Sequence, residues 1–332
     1  MPTSTNGSAS SEGKYPFPAN TLEGRIMRDT NDPEYMKLFL AAHDGDVEKV
    51  KKLVNKENVN NLFFHPDDGF KTALHCASER GRYEVVKALL LMEGAIVDYR
   101  DDEKMTPLLR AAFSPNDNTL SIIELLIIGK AQRNAVNALG DNALHIAIDR
   151  EGSLELIRGL VKLDVDVNKI NNDDEAPLHF AISKRSPELV KALLDGGADA
   201  LLVDKDAKTY LHHLADFRGE RHDDIKKIII LLIQGGVDIY EVDKKGRTAL
   251  EIALENKNHN FADALKASAP LNSQATNEDS NEEKVKAWLD KIASANHAGS
   301  QNSSPPDVSP KILPFYQGLL KSLESNSSKE RK

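Results

Sequence analysis

The apolar positions of residues 72–98 (TALHCASERGRYEVVKALLLMEGAIVD) fall in two short blocks. Leu74 and Ala77 form the first, and Val85, Val86, Leu89 and Leu90 the second, with Gly81 between them. Spacings of three and four predict two short helices, and the glycine marks where the first closes in the left-handed conformation. The phrase then recurs. Thr106-Pro107-Leu108-Leu109, Asn142-Ala143-Leu144-His145, Ala176-Pro177-Leu178-His179, Thr209-Tyr210-Leu211-His212 and Thr248-Ala249-Leu250-Glu251 restate its opening. Leu74, Leu108, Leu144, Leu178, Leu211 and Leu250 lie 34, 36, 34, 33 and 39 residues apart. A pair of short helices cannot bury its apolar faces alone, so a repeat of this kind predicts a stack in which each unit covers the next. Ala77, Ala111, Ala112, Ala147, Ala181, Ala215 and Ala253 keep the first helix slim enough for close stacking. Leu89-Leu90-Leu91, Leu125-Leu126, Leu193-Leu194 and Leu231-Leu232 give the second helix its bulk, and Gly94, Gly129, Gly197 and Gly236 end it.

A period near 33 with a T-P-L-H-like opening resembles the ankyrin repeat over Pro33 to Ala269. The resemblance implies an all-α ankyrin-repeat solenoid of stacked helix pairs with projecting loops. It divides the chain into an N-terminal cap at 33–71, full repeats at 72–105, 106–141, 142–175, 176–208 and 209–247, and a C-terminal cap at 248–269. Lys49, Lys51, Lys52 and Lys56 make the outer side of the first cap polar, as a terminal repeat requires. Residues 1–32 are predicted to be largely disordered, their first twenty being rich in Ser, Thr, Gly and Pro. Residues 270–332 read as linkers around two short amphipathic helices, about 282–295 with Val285, Trp288, Leu289 and Ile292, and about 314–324 with Phe315, Leu319, Leu320 and Leu323. The first of these packs on the last repeat as an extended cap, or either of the two is a docking element for a partner groove.

Departures from the pattern are specific. Asp164 stands where glycine usually ends the second helix, and Glu57 or Asn58 takes that place in the first cap. Pro187 replaces the residues between two helices, where its fixed φ suits a first helical turn. Leu109 replaces the recurring histidine, which predicts a less firmly held loop, and Glu251 replaces it in the last repeat.

A net charge of −9 argues against a nucleic-acid-binding surface. A single cysteine, Cys76, excludes an internal disulfide framework and fits a reducing compartment. The first residues carry no apolar stretch of signal-peptide length, and runs such as Ile228 to Ile233 are too short to span a bilayer. A cytoplasmic monomer without a membrane span is expected. The resemblance also admits an exported effector acting in a host cytosol, since ankyrin arrays with short polar tails occur among bacterial effectors.

His75, His145, His179 and His212 recur in one slot, and the resemblance implies that each bonds threonine or backbone groups there. One histidine per layer is too widely spaced for a shared metal ion. The densest cluster, His212-His213, Asp216, Arg218, Glu220, Arg221, His222, Asp223 and Asp224, lengthens a turn and reads as a solvated or partner-contacting loop. No phosphate loop, nucleophile elbow or paired-cysteine spacing is present, so no catalytic, cofactor or metal residue is assigned and no enzymatic activity is expected. Ser303, Ser304 and Ser309 precede prolines in a linker, and Asn168 matches the asparagine that hydroxylases modify in ankyrin repeats.

The resemblance implies two variable surfaces, the loop tips and the inner helices. Tip candidates are Asp67, Asp68, Phe70, Asp101, Asp102, Asp173 and Asp174. Inner-helix candidates are Glu79, Arg80, Asp149, Arg150, Lys184, Asp216 and Phe217, joined by Arg221 in the long turn and Trp288 in the tail. The acidic tips predict a protein partner with an at least partly basic surface. The function read from this is a non-enzymatic adaptor, scaffold or inhibitor; the alternative is a targeting subunit that brings substrates to a separate catalytic partner.

Overall fold

The computed structural model describes residues 33–65, 69–216 and 222–272, in two compact units that divide between Asp173 and Asp174. The described part of the first unit holds α1 (Pro33–Asp44), α2 (Val47–Leu53), β1 (Phe63–His65), β2 (Gly69–Lys71), α3 (Ala73–Glu79), α4 (Tyr83–Leu90), α5 (Pro107–Phe113), α6 (Thr119–Ile128), α7 (Ala143–Asp149) and α8 (Leu154–Lys162). That of the second holds α9 (Pro177–Ser183), α10 (Pro187–Asp195), α11 (Tyr210–Asp216), α12 (His222–Gln234), α13 (Ala249–Glu255) and α14 (His259–Asn272).

In the first unit the inner helices α1, α3, α5 and α7 pack in sequence, and the outer helices α2, α4, α6 and α8 do the same. Ala77, Ala111, Ala112 and Ala147 are fully buried, as are Leu108 and Leu144 beside them. Val86, Leu89, Ile123, Leu126, Ile157 and Leu160 fill the second layer. Gly159 of α8 faces Leu120 so closely that a β-carbon would enter the leucine side chain. The second unit repeats this with α9, α11 and α13 inside and α10, α12 and α14 outside, around Leu178, Leu193, Leu211, Ile229, Leu232 and Phe261.

The inner helices α3, α5, α7 and α13 start where an extended residue turns its side chain onto the helix end. Thr72 Oγ1 accepts from the His75 amide, Asn142 Oδ1 from Leu144 and His145, and Thr248 Oγ1 from Glu251. Such a cap satisfies amides that have no partner inside the helix. Pro187 occupies the first turn of α10, as its fixed φ predicts, after Ser186.

Four details differ from the sequence reading. The first cap contains a short antiparallel ribbon, with Phe63 opposite Lys71 and His65 opposite Gly69. Phe63 is buried there, its ring 5.5 Å from that of Phe39. Leu91 caps α4 rather than filling the core, 80% exposed, because it lies a third of a turn beyond Leu90. Gly129 has an ordinary φ of −71°, and the left-handed residue is Lys130 at +71°. Gly129 is the close-approach residue instead, since a β-carbon there would lie 3.2 Å from Leu126 O. Neither Glu57 nor Asn58 is left-handed; the Asn58 side-chain amide closes α2 by donating to Leu53 O at 2.8 Å.

Candidate functional site

The projecting loops are built around one carboxylate or carboxamide each. In the first unit Asp101 Oδ1 accepts from the amides of Glu103 and Met105, at 3.0 and 2.9 Å. Asn137 does the same for Leu139 and Asp141, both at 2.9 Å. In the second unit Asp204 holds Asp206 and Lys208, and Asp243 holds Lys245 and Arg247. An Asp or Asn that accepts from amides two and four residues on fixes the loop from within, and backbone bonds such as Asn172 N to Leu139 O and Lys244 N to Asp206 O, both 2.9 Å, tie adjacent loops together.

This corrects the reading of Asp101 as a solvent-facing tip. Its side chain is fully buried, and Oδ2 accepts from Arg110 Nε at 2.6 Å. A carboxylate spent on two amides and a guanidinium is a staple rather than a contact point. Asp102, Glu103 and Lys104 remain exposed beyond it. Asp173 is exposed in the first unit and Asp174, left-handed at φ +64°, in the second. Phe70 is half-buried on β2. Asp67, Asp68, Phe217, Arg221 and Trp288, together with the predicted helices at 282–295 and 314–324, lie outside the described residues.

The ends of the inner helices carry a second register of charge. Glu79 pairs with Lys71 at 2.6 Å, Asp216 with Lys208 at 2.9 Å and Glu255 with Arg247 at 2.9 Å. Each cation stands eight residues before its carboxylate, at the base of the loop that leads into the helix. In the repeat of α5 the two positions are Met105 and Phe113, and neither is charged. There the Arg150 guanidinium, at the end of α7, lies over the Phe113 ring with Cζ 3.8 Å from its centroid. Arg110 Cζ is 5.5 Å from the same ring. Arg80 is exposed and Lys184 half-buried. This register was missed at the sequence level, although Lys71/Glu79, Lys208/Asp216 and Arg247/Glu255 are visible there as pairs eight apart.

The recurring histidines cap rather than react. His75 Nδ1 accepts from the Thr72 amide at 3.3 Å, so the proton sits on Nε2, which donates to Met105 O at 3.1 Å. His212 repeats this with Thr209 and Arg247 O. Burial pushes the His75 imidazole down to about 4, and burial likewise lowers His212 and His213. Glu251 performs the same task in the last repeat, one carboxylate oxygen accepting from the Thr248 amide at 2.7 Å. His212 and Asp216, four apart, do not converge, since Asp216 is held by Lys208 and Asn256. Among the described residues no group of three or more His, Cys, Asp or Glu is placed to hold a metal ion, and no helix is long and apolar enough to cross a membrane.

The family profile of ankyrin repeats, three copies per match, fits residues 38–127, 114–204 and 178–279. The ankyrin repeat protein YahD of Escherichia coli (strain K12) is 31% identical over 188 residues, 54% of this chain and 89% of its own. The B-cell lymphoma 3 protein homolog of Mus musculus is 36% identical over 121 residues, 36% of this chain and only 26% of its own, so the chain spans about a quarter of that relative. Among solved structures, the ankyrin repeat domain of Bcl-3 superposes with a TM-score of 0.55 at 21% identity, covering 69% of this chain and 97% of that one. One chain of the Bdellovibrio bacteriovorus predatory endopeptidase–immunity protein complex does so with a TM-score of 0.51 at 26% identity, covering 59% and 98%. Ankyrin repeats are protein–protein interaction modules, and with the profile spanning residues 38–279 this chain belongs to the ankyrin repeat family.

Proposed function

We propose that the chain is a non-catalytic adaptor, scaffold or inhibitor that holds a protein partner against its loop tips and inner-helix ends. The observation that carries this is the separation of labour in each loop. Asp101, Asp204 and Asp243 fix the backbone from within, so that the side chains of Asp102, Lys205 and Asp206 project with no structural task of their own. Ordered loops that display charged side chains lose little entropy on binding, which is how a rigid array gains affinity. In the first unit the exposed tip residues Asp102, Glu103 and Asp173 are acidic, which supports a partner with a basic surface.

An enzyme is the partner class that a specific observation favours, because one fold neighbour comes from an endopeptidase–immunity protein complex. The test begins with capture of partners on the full chain beside a version ending at Asn272. A partner kept by both is then measured against Asp102→Lys, Asp173→Lys and Asp174→Lys across a range of salt. Affinity should fall with charge reversal and with ionic strength. A partner indifferent to both, or lost on truncation, sinks the tip surface as the site.

A further inference from the structure

Three of the charge pairs at the inner-helix ends are closed within their own repeat: Lys71 with Glu79, Lys208 with Asp216 and Arg247 with Glu255. In the repeat of α5 the carboxylate position is taken by Phe113, half-buried, with the buried Met105 eight residues before it. Arg110 does not leave a charge open there, because Asp101 Oδ2 takes its Nε at 2.6 Å and Glu103 lies 3.2 Å from a terminal nitrogen.

Arg150 is the cation left over. Its guanidinium is stacked on Phe113 at 3.8 Å and its side chain is 46% exposed. Its one carboxylate contact among the described residues is Asp149, 3.8 Å from Nε, beyond hydrogen-bond distance. A guanidinium pinned by an aromatic face keeps its planar fork of donors pointing outward and has already lost much of its freedom. That edge matches a carboxylate with two parallel hydrogen bonds.

We propose that the Arg150–Phe113 pair is a carboxylate-binding point of the first unit, receiving an Asp or Glu side chain of the protein partner. The incoming carboxylate would pair with Arg150 as Glu79, Asp216 and Glu255 pair with the cations of their own repeats. Asp149, 53% exposed beside the guanidinium, favours a singly charged carboxylate over a more highly charged phosphate. The inference rests on the protein-binding reading above and sharpens it: the partner is basic toward the tips and offers one acid to the inner helices.

The test uses the full chain as bait for a displayed library of random peptides, followed by synthesis of the best binders. Each binder is measured against wild type, Arg150→Ala, Arg150→Lys and Phe113→Glu, with thermal unfolding of every variant as the folding control. Binders should share an Asp or Glu whose replacement by Asn or Gln weakens wild type roughly ten- to hundredfold and leaves Arg150→Ala unchanged. Arg150→Lys should lose much of that difference, since an ammonium keeps the charge without the fork. Phe113→Glu should abolish it by placing the acid inside the array. Binders whose acid matters equally in wild type and Arg150→Ala overturn this inference and leave the interaction reading standing. A phosphoserine that outbinds the carboxylate in the same position overturns the assignment of the ligand. If no peptide is retained, both the carboxylate point and the inner-helix surface fall.

Discussion

At the scale of single residues, the backbone conformation costs most where glycine is absent. Lys104, Lys130, Glu151, Asp164, Asp174, Arg185, Ala207 and Lys257 all hold φ between +53° and +71°. A β-carbon in the left-handed region costs about 1–2 kcal/mol, and Ala207 has no polar side chain to recover any of it. Ala207→Gly should therefore raise the unfolding free energy by about 0.5–1 kcal/mol once the entropy of glycine is subtracted, read as a higher urea midpoint at unchanged slope. The converse holds at Gly81, φ +70°, where a β-carbon would run into Asn116 Oδ1. Asp101 makes the sharper case. Asp101→Ala would leave Arg110, itself 3% exposed, without its buried carboxylate partner, keeping only the exposed Glu103, and would release two loop amides. The expected loss is about 3–5 kcal/mol, while Asp102→Ala on the same loop should be nearly neutral. Equal effects from the two substitutions would contradict the assignment of staple and tip.

Helices and loops are joined by the capping histidines, and there the sign of a pH effect can be worked out. His75 is neutral in the fold, with burial pushing it down to about 4 from an ordinary value of 6.5. The unfolded chain thus binds a proton that the folded chain refuses between these two values. Stability should be full above about pH 6.5 and fall as pH drops toward 4, by about 3 kcal/mol for this group alone. Chemical denaturation as a function of pH checks it, with His75→Gln expected to flatten the slope while lowering stability at neutral pH. The slot of these histidines was legible in the sequence, and so was the alternation of slim and bulky helices, because Leu, Ala and Gly recur at a fixed period. What escaped was set by direction rather than by type. Asp101 reads as one more acidic loop residue until Arg110, nine positions on, folds back onto it. The ribbon at 63–71 escaped because a helical cap was expected, although Phe63-Phe64-His65 and Gly69-Phe70-Lys71 flank a Pro-Asp-Asp turn signal. Arg150 on Phe113 was beyond reach, since their contact joins two repeats through side-chain rotamers that no periodicity encodes.

At the scale of the whole molecule, stability is assembled layer by layer, because within each unit a helix pair touches its neighbours and little else. Leu144 is fully buried on α7, between the layers of α5 and α8. Leu144→Ala removes a core side chain whose surroundings relax only partly, so the local cost should be about 2–5 kcal/mol. In a globular domain with one cooperative transition, that loss would lower the protection of every strongly protected amide alike. In a stack with mainly nearest-neighbour terms, the loss stays close to its source. Hydrogen exchange under native conditions should then show α5, α7 and α8 opening more readily, while α13 and α14 in the second unit keep their protection. Uniform loss across both units would mean that the repeats fold as one cooperative body. Local loss would mean that one face of the array can be reshaped without disturbing the other, which is the property that lets an interaction module change partners by changing a few exposed side chains.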